Sequence, residues 1–191
     1  MSAGTYNSSD IKKGLKLEID GYPWSIVDFQ FVKPGKGQAF NRIRMKNLIT
    51  GQVVERTYKI VESFQVADVE EVQMEFLYHD GDGYNFMNQE SFEQVAIQKD
   101  VVGDSANFLL ENMKCAVLFY KGRPVSLELP NFVELLITYC EPGVKGNTAT
   151  GTTKNATVST GAQVAVPLFI EQGETIKVDT RTGDYVERVR R

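Results

Sequence analysis

The sequence predicts an all-β protein built from three consecutive small β-barrels, and three observations carry that prediction. Glycine turns recur at Asp20-Gly21, Thr50-Gly51, Lys121-Gly122 and Thr182-Gly183, each between stretches rich in strand-forming residues. Stretches with a helical period are few and short. Charge falls in three blocks: residues 1–65 hold ten Lys and Arg against six Asp and Glu, residues 66–129 four against twelve, and residues 130–191 seven against seven. A basic start, an acidic middle and a balanced end mark three modules, 1–65, 66–129 and 130–191, with Pro130-Asn131 as the last linker.

The elements follow in order. "LKLEI" and "SIVDFQFV" are strands joined by a tight turn at Asp20-Gly21, where both residue types tolerate positive φ. "NRIRMKNL" and "QVVERTYKI" pair around Thr50-Gly51. "MEFLYHDGDGYNFMN" turns at Asp80–Gly83, "KCAVLFYKGRPVSLELP" at Lys121-Gly122 and "ETIKVDTRTGDYVERV" at Thr182-Gly183. Turns at such spacing suit closed or nearly closed barrels. Two short helices are predicted, one near "QESFEQVAI" and one in "GDSANFLLENM" with Ser105 as its N-cap. The Gly/Thr/Asn/Lys-rich run "EPGVKGNTATGTTKNATVSTGAQ" reads as a long loop within the last module.

Several classes of function are disfavoured. No apolar run approaches eighteen residues and the N-terminus has no apolar signal region, so the chain is expected to be cytoplasmic, without a membrane partner. Cys115 and Cys140 form no metal or redox motif and read as reduced thiols. His79 is the only histidine, and no metal or cofactor is expected. "DGDGYNFMNQES" fails as a calcium loop, with Asn85 at its sixth position and Ser91 at its twelfth. "GKG" lacks the Ser/Thr of a phosphate-binding loop and leads into a strand. The expectation is a non-enzyme with no catalytic residue.

The stretch "FVKPGKGQAFNRIRMK" carries the functional signal. Lys33, Lys36, Arg42, Arg44 and Lys46 fall within fourteen positions that contain no acid. As an extended strand, "FNRIRMK" turns Arg42, Arg44 and Lys46 to one face and Ile43 and Met45 to the other. The three cations are then roughly 7 Å apart, a spacing comparable to neighbouring phosphates of a nucleic-acid strand. Lys36 stands at a narrow tip. Pro34 stiffens the approach, and Gly35 and Gly37 leave the lysine without bulky neighbours.

Together with "NFVELLI" and "KNATVSTGAQVAVPLFIEQGETIKVDTRTGDYVERV", this stretch resembles bacterial translation elongation factor P, in one colinear match from about Ile11 to the C-terminus. The resemblance implies a KOW-like barrel followed by two OB-fold barrels in an L-shaped, tRNA-mimicking arrangement. It implies a monomer that binds the 70S ribosome between the P and E sites and positions the P-site peptidyl-tRNA, promoting peptide bond formation at consecutive prolines. Lys36 matches the family's post-translationally modified lysine. β-Lysylation by a lysyl-tRNA-synthetase-like enzyme is expected there; an added hydroxyl (hydroxylation), an aminopentanol-type arm and an unmodified lysine are alternatives between which the sequence does not choose. Lys33, Arg42, Arg44 and Lys46 become tRNA contacts near the acceptor arm. Tyr185 and Arg188 match a Tyr-Val-x-Arg pattern, read as a packing or stacking residue and a phosphate contact. Gly146, Asn147, Thr148, Ala149, Thr150 and Gly151 match the loop that approaches the E-site mRNA and tRNA, with Asn147 where the family commonly has Asp.

Overall fold

The structure, a computed structural model, describes residues 4–81, 83–141 and 153–190. The chain divides into two compact units, Met1–Val72 with Val117–Ser126, and Gln73–Ala116 with Leu127–Arg191.

The first sheet contains β1 (Thr5–Tyr6), β2 (Lys16–Ile19), β3 (Tyr22–Val32), β4 (Phe40–Asn47), β5 (Val53–Lys59) and β6 (Phe64–Val66), in the order β1-β6-β2-β3-β4-β5. The β2–β3 hairpin closes over two residues, with Ile19 opposite Tyr22. Asp20 and Gly21 both take positive φ, 53° and 77°, as the primed turn of a two-residue hairpin requires. Gly51 (φ 74°) serves the β4–β5 turn, where the Asn47 side-chain oxygen also accepts from the Ile49 and Thr50 N–H groups. Ile11, Leu15, Leu17, Ile26, Ile43 and Phe64 form the core inside this sheet. Ile43 is fully enclosed. Ile43→Ala is expected to lower the stability of this unit by about 2–5 kcal/mol, read as a fall in the denaturant midpoint with an unchanged slope.

The second sheet contains β7 (Val69–His79), β8 (Gly83–Asn88), β9 (Gln94–Gln98), β10 (Lys114–Tyr120) and β11 (Arg123–Glu128), ordered β11-β10-β7-β8-β9. Here the structure overturns the first helix expectation and keeps the second as a 3-10 segment without its expected cap. The "QESFEQVAI" segment is a turn followed by strand β9. The Asn88 side chain accepts from the Glu90 and Ser91 N–H groups, Phe92 takes φ 60°, and Gln94–Gln98 then pairs with β8. Ile97 fills the core at a strand's period of two, which sequence alone leaves ambiguous over so short a run. The helix begins only afterwards, as α1 (Lys99–Val102), and continues into a 3-10 helix over Gly103–Phe108. Ser105 lies inside that 3-10 segment and does not cap it; Val102 occupies the cap position.

The third sheet contains β12 (Phe132–Cys140), β13 (Thr153–Val158), β14 (Gln163–Pro167), β15 (Thr175–Asp179) and β16 (Tyr185–Val189), ordered β14-β13-β12-β15-β16. Its inward residues, including Leu135, Ile137, Val166, Ile176 and Val178, form a second large core, with Phe108, Leu110 and Met113 packed against it. The run 141–163, expected as one long loop, is strand in its second half: Thr153–Val158 forms β13, held between β12 and β14 by backbone pairing that the Thr/Asn-rich composition does not reveal. The expected loop residues 146–151 lie outside the described residues. Cys115 is buried and its thiol is pushed up to about 12 by burial, so it is inert at neutral pH.

Candidate nucleic-acid interface

Burial along β4 alternates without a break. Asn41, Ile43, Met45 and Asn47 are buried, while Arg42, Arg44 and Lys46 are exposed. Two apolar side chains at period two therefore fix the strand's register against the core and hold the three cations outward. Register places Gln30 and Thr57 beside Arg42, Asp28 and Glu55 beside Arg44, and Ser25 and Val53 beside Lys46. One step further, Lys59 stands opposite Phe40 and adds an exposed cation to the same face. Lys59 is outside the basic stretch that stands out in the sequence, because only strand pairing brings it there.

The face is less purely cationic than the linear stretch suggests. The Arg42 guanidinium lies 3.6 Å from the Glu55 carboxylate. Asp28 is paired with Lys13 at 2.9 Å. The Lys13 ammonium, then the Phe29 backbone N–H and the nearby Arg44 charge, hold the Asp28 carboxyl below its usual range. Positive charge still dominates, with Lys13, Arg42, Arg44, Lys46 and Lys59 against Asp28 and Glu55. Both ion pairs are solvated, so an incoming phosphate competes with partners worth little.

β3 and β4 run out to the tip that bears Lys33 and Lys36, both exposed. Gly37 takes φ 108°, a conformation that side chains rarely adopt, and a Cβ there would meet the Pro34 ring at 3.9 Å. Gly35 has no positive φ and open space around it. The two glycines thus have different roles: Gly37 sets the bend, and Gly35 leaves room beside Lys36. Gly37→Ala is expected to strain or remodel the tip at roughly 1–2 kcal/mol, whereas Gly35→Ala leaves stability unchanged. Thermal unfolding of the two variants separates these roles.

Tyr185 and Arg188 sit on β16, away from the tip in sequence and in the other compact unit. Tyr185 is half-buried against the core of the third sheet. The Arg188 guanidinium donates to Glu174 at 2.9 Å. The Glu171 backbone N–H first, and Arg188 in addition, hold the Glu174 carboxyl below its usual range. Arg188 therefore already has an anionic partner that the sequence did not reveal. His79 is exposed, with its ring 4.4 Å from that of Tyr84. Among the described residues no group of His, Cys, Asp and Glu is arranged to hold a metal ion.

Three family models match along the chain. The elongation factor P KOW-like domain matches residues 7–64, the elongation factor P OB domain 69–127, and the elongation factor P C-terminal domain 133–188. Elongation factor P of Clostridium perfringens (strain SM101 / Type A) is 52% identical over 183 residues, covering 96% of this chain and 99% of that relative. This chain belongs to the elongation factor P family. Elongation factor P of Desulforapulum autotrophicum is likewise 52% identical, over 184 residues that cover 96% of this chain and 98% of the relative. The all-β architecture of a KOW-like module followed by OB-type modules is thus established, as is the chain's place among translation factors. A solved structure titled eukaryotic translation initiation factor 5A from Methanococcus jannaschii shares the fold over 64% of this chain and 90% of its own, with a TM-score of 0.51 at 21% identity. Membership of the family implies the ribosome as partner. No helix among the described residues is long and apolar enough to cross a membrane.

Proposed function

We propose that this translation factor binds the ribosome between the P and E sites and holds the P-site peptidyl-tRNA in a reactive geometry, above all where consecutive prolines slow peptide transfer. The observation that carries the proposal is the β3–β4 ribbon. It presents an exposed lysine on a bent, glycine-flanked tip and a mainly cationic strand face leading to it. In this reading the contribution is positional, with the Lys36 amine serving as the attachment point of an arm and not as a group that reacts with the peptidyl-tRNA. Holding reactants in an aligned conformer removes entropy from the barrier that the ribosome's own centre then crosses.

Lys36 is the site of modification in this reading. An amide between its Nζ and β-lysine would remove one ammonium and bring two amines, so the arm becomes longer and more cationic. A lysyl-tRNA-synthetase-like enzyme is the proposed modifier. Lys33, Arg42, Arg44 and Lys46 contact the acceptor arm, and the Gly146–Gly151 loop approaches the E-site codon. The three modules act as residues 1–65, 66–129 and 130–191, in a monomeric cytoplasmic protein that is not itself an enzyme. The test is translation of a template with consecutive proline codons on purified ribosomes. Added protein is expected to relieve the pause there and to leave proline-free templates unchanged; equal effects on both templates contradict the proposal.

The pairing of Arg188 gives a sharper test in the last module. If Arg188 contacts phosphate, Arg188→Ala weakens ribosome binding while Glu174→Gln, which frees the guanidinium, leaves it equal or tighter. If the ion pair serves the fold alone, both variants lower the unfolding temperature and neither changes binding beyond that.

A further inference from the structure

We propose that Phe29 and Phe31 form a stacking platform for an unpaired nucleotide at the 3′ end of the RNA that this ribbon holds. The platform presupposes the functional reading above and adds to it the recognition of a base.

Both phenylalanines are exposed, Phe29 at 38% and Phe31 at 55%, in the outer half of a strand whose first half, through Ile26, is anchored in the core. The cause is local. β2 pairs with β3 only as far as Ser25, with Ile26 bonded to Gly14 and Leu15, and a bulge at Val27 then shifts the register. Beyond that bulge β3 continues, paired with β4, toward the tip. Phe29 stands opposite Ile43 and Phe31 opposite Asn41, so both point to the face of the ribbon opposite Arg42, Arg44 and Lys46. One face therefore carries cations and the other carries aromatic rings, and Lys33 and Lys36 lie at the end where the two faces meet.

The spacing suits a base. Side chains at i and i+2 of a strand are roughly 7 Å apart. That is about twice the 3.5 Å separation of stacked carbon atoms, so one planar base fits between the two rings. Exposed aromatics beside a cationic track are how single-stranded nucleic acid is bound without sequence preference. The charge of the surroundings favours RNA over a protein partner: from Asp28 through Glu55 the chain has five Lys and Arg against two acids, Asp28 and Glu55, and both acids are engaged by cations, Lys13 and Arg42. An RNA with a paired stem and an unpaired 3′ end matches both faces, its stem phosphates on β4 and its last nucleotides crossing the tip to Phe31.

The experiment measures binding of labelled protein, lacking any Lys36 modification, to two ribosome complexes. One has a P-site tRNA with its full CCA end, and the other has the same tRNA trimmed of those three nucleotides. The F29L/F31L double variant keeps apolar side chains but no rings. It is expected to bind the full-length complex about tenfold more weakly and the trimmed complex as the parent does; tyrosine at both positions restores binding. Unchanged unfolding temperature verifies the fold of each variant. Equal weakening on both complexes, or no change on either, overturns the platform. The R44A variant, expected to weaken binding to both complexes, separates the two failures. If R44A behaves so and F29L/F31L does not, only the platform is wrong; if neither variant has an effect, the placement of RNA on this ribbon is wrong as well.

Discussion

Lys36→Arg is expected to lower the rate of proline–proline bond formation on ribosomes by on the order of 10²-fold relative to the modified protein, while leaving the fold and most of the ribosome affinity intact. Arginine preserves the positive charge and does not disturb Gly37, the residue whose φ of 108° sets the bend. What it removes is the amine on which an arm can be built. Lys36→Ala removes the charge as well and is expected to act at least as strongly. Lys33→Arg is the control: Lys33 lies in the same tip, and a guanidinium can still meet a phosphate there, so the rate should fall little. If Lys36→Arg matches the parent, the working feature is charge at the tip and the account of a covalent arm fails.

The second large effect belongs to the β4 face. Arg42→Ala with Arg44→Ala is expected to weaken ribosome binding and to flatten its salt dependence. The slope of log K against log salt should fall by roughly 0.7–0.9 for each phosphate that is no longer neutralised. The structure ranks the two residues. Arg42 must leave Glu55, 3.6 Å away, before it can meet a phosphate, whereas Asp28 beside Arg44 is already engaged by Lys13. Arg44→Ala should therefore be the more damaging single change. Glu55→Gln should tighten binding at low salt, because it releases Arg42 and removes a carboxylate that repels RNA. Measuring binding across a salt titration decides both points, and equal slopes for parent and double variant contradict phosphate binding by these arginines.

The parts of this molecule that are legible in the sequence share a physical property: one or two local residues determine them. Asp20-Gly21, Thr50-Gly51 and Lys121-Gly122 announce their hairpins because few other pairs tolerate the backbone required. The outward row of Arg42, Arg44 and Lys46 follows from the period of a strand once Ile43 and Met45 are taken inward. What the sequence hides depends on partners distant in the chain or on a short ambiguous run. "QESFEQVAI" carries helix-favouring residues, yet Asn88 closes a turn and β8 recruits Gln94–Gln98 as its neighbour. Glu55 and Asp28 join the cationic face only through register, and Glu174 reaches Arg188 only because β15 and β16 pair. Gly35 looks equivalent to Gly37 by composition, and backbone geometry separates them. Exposure of Phe29 and Phe31 is equally hidden, since alternating aromatics in a strand read as core until the end of β2 is known.

The most direct test is peptide mass spectrometry of the protein isolated from its native host, on the peptide that contains both lysines of the tip. A mass addition on Lys36 and none on Lys33 is the expected result. An unmodified Lys36, in cells that need this factor to translate consecutive prolines, would contradict it.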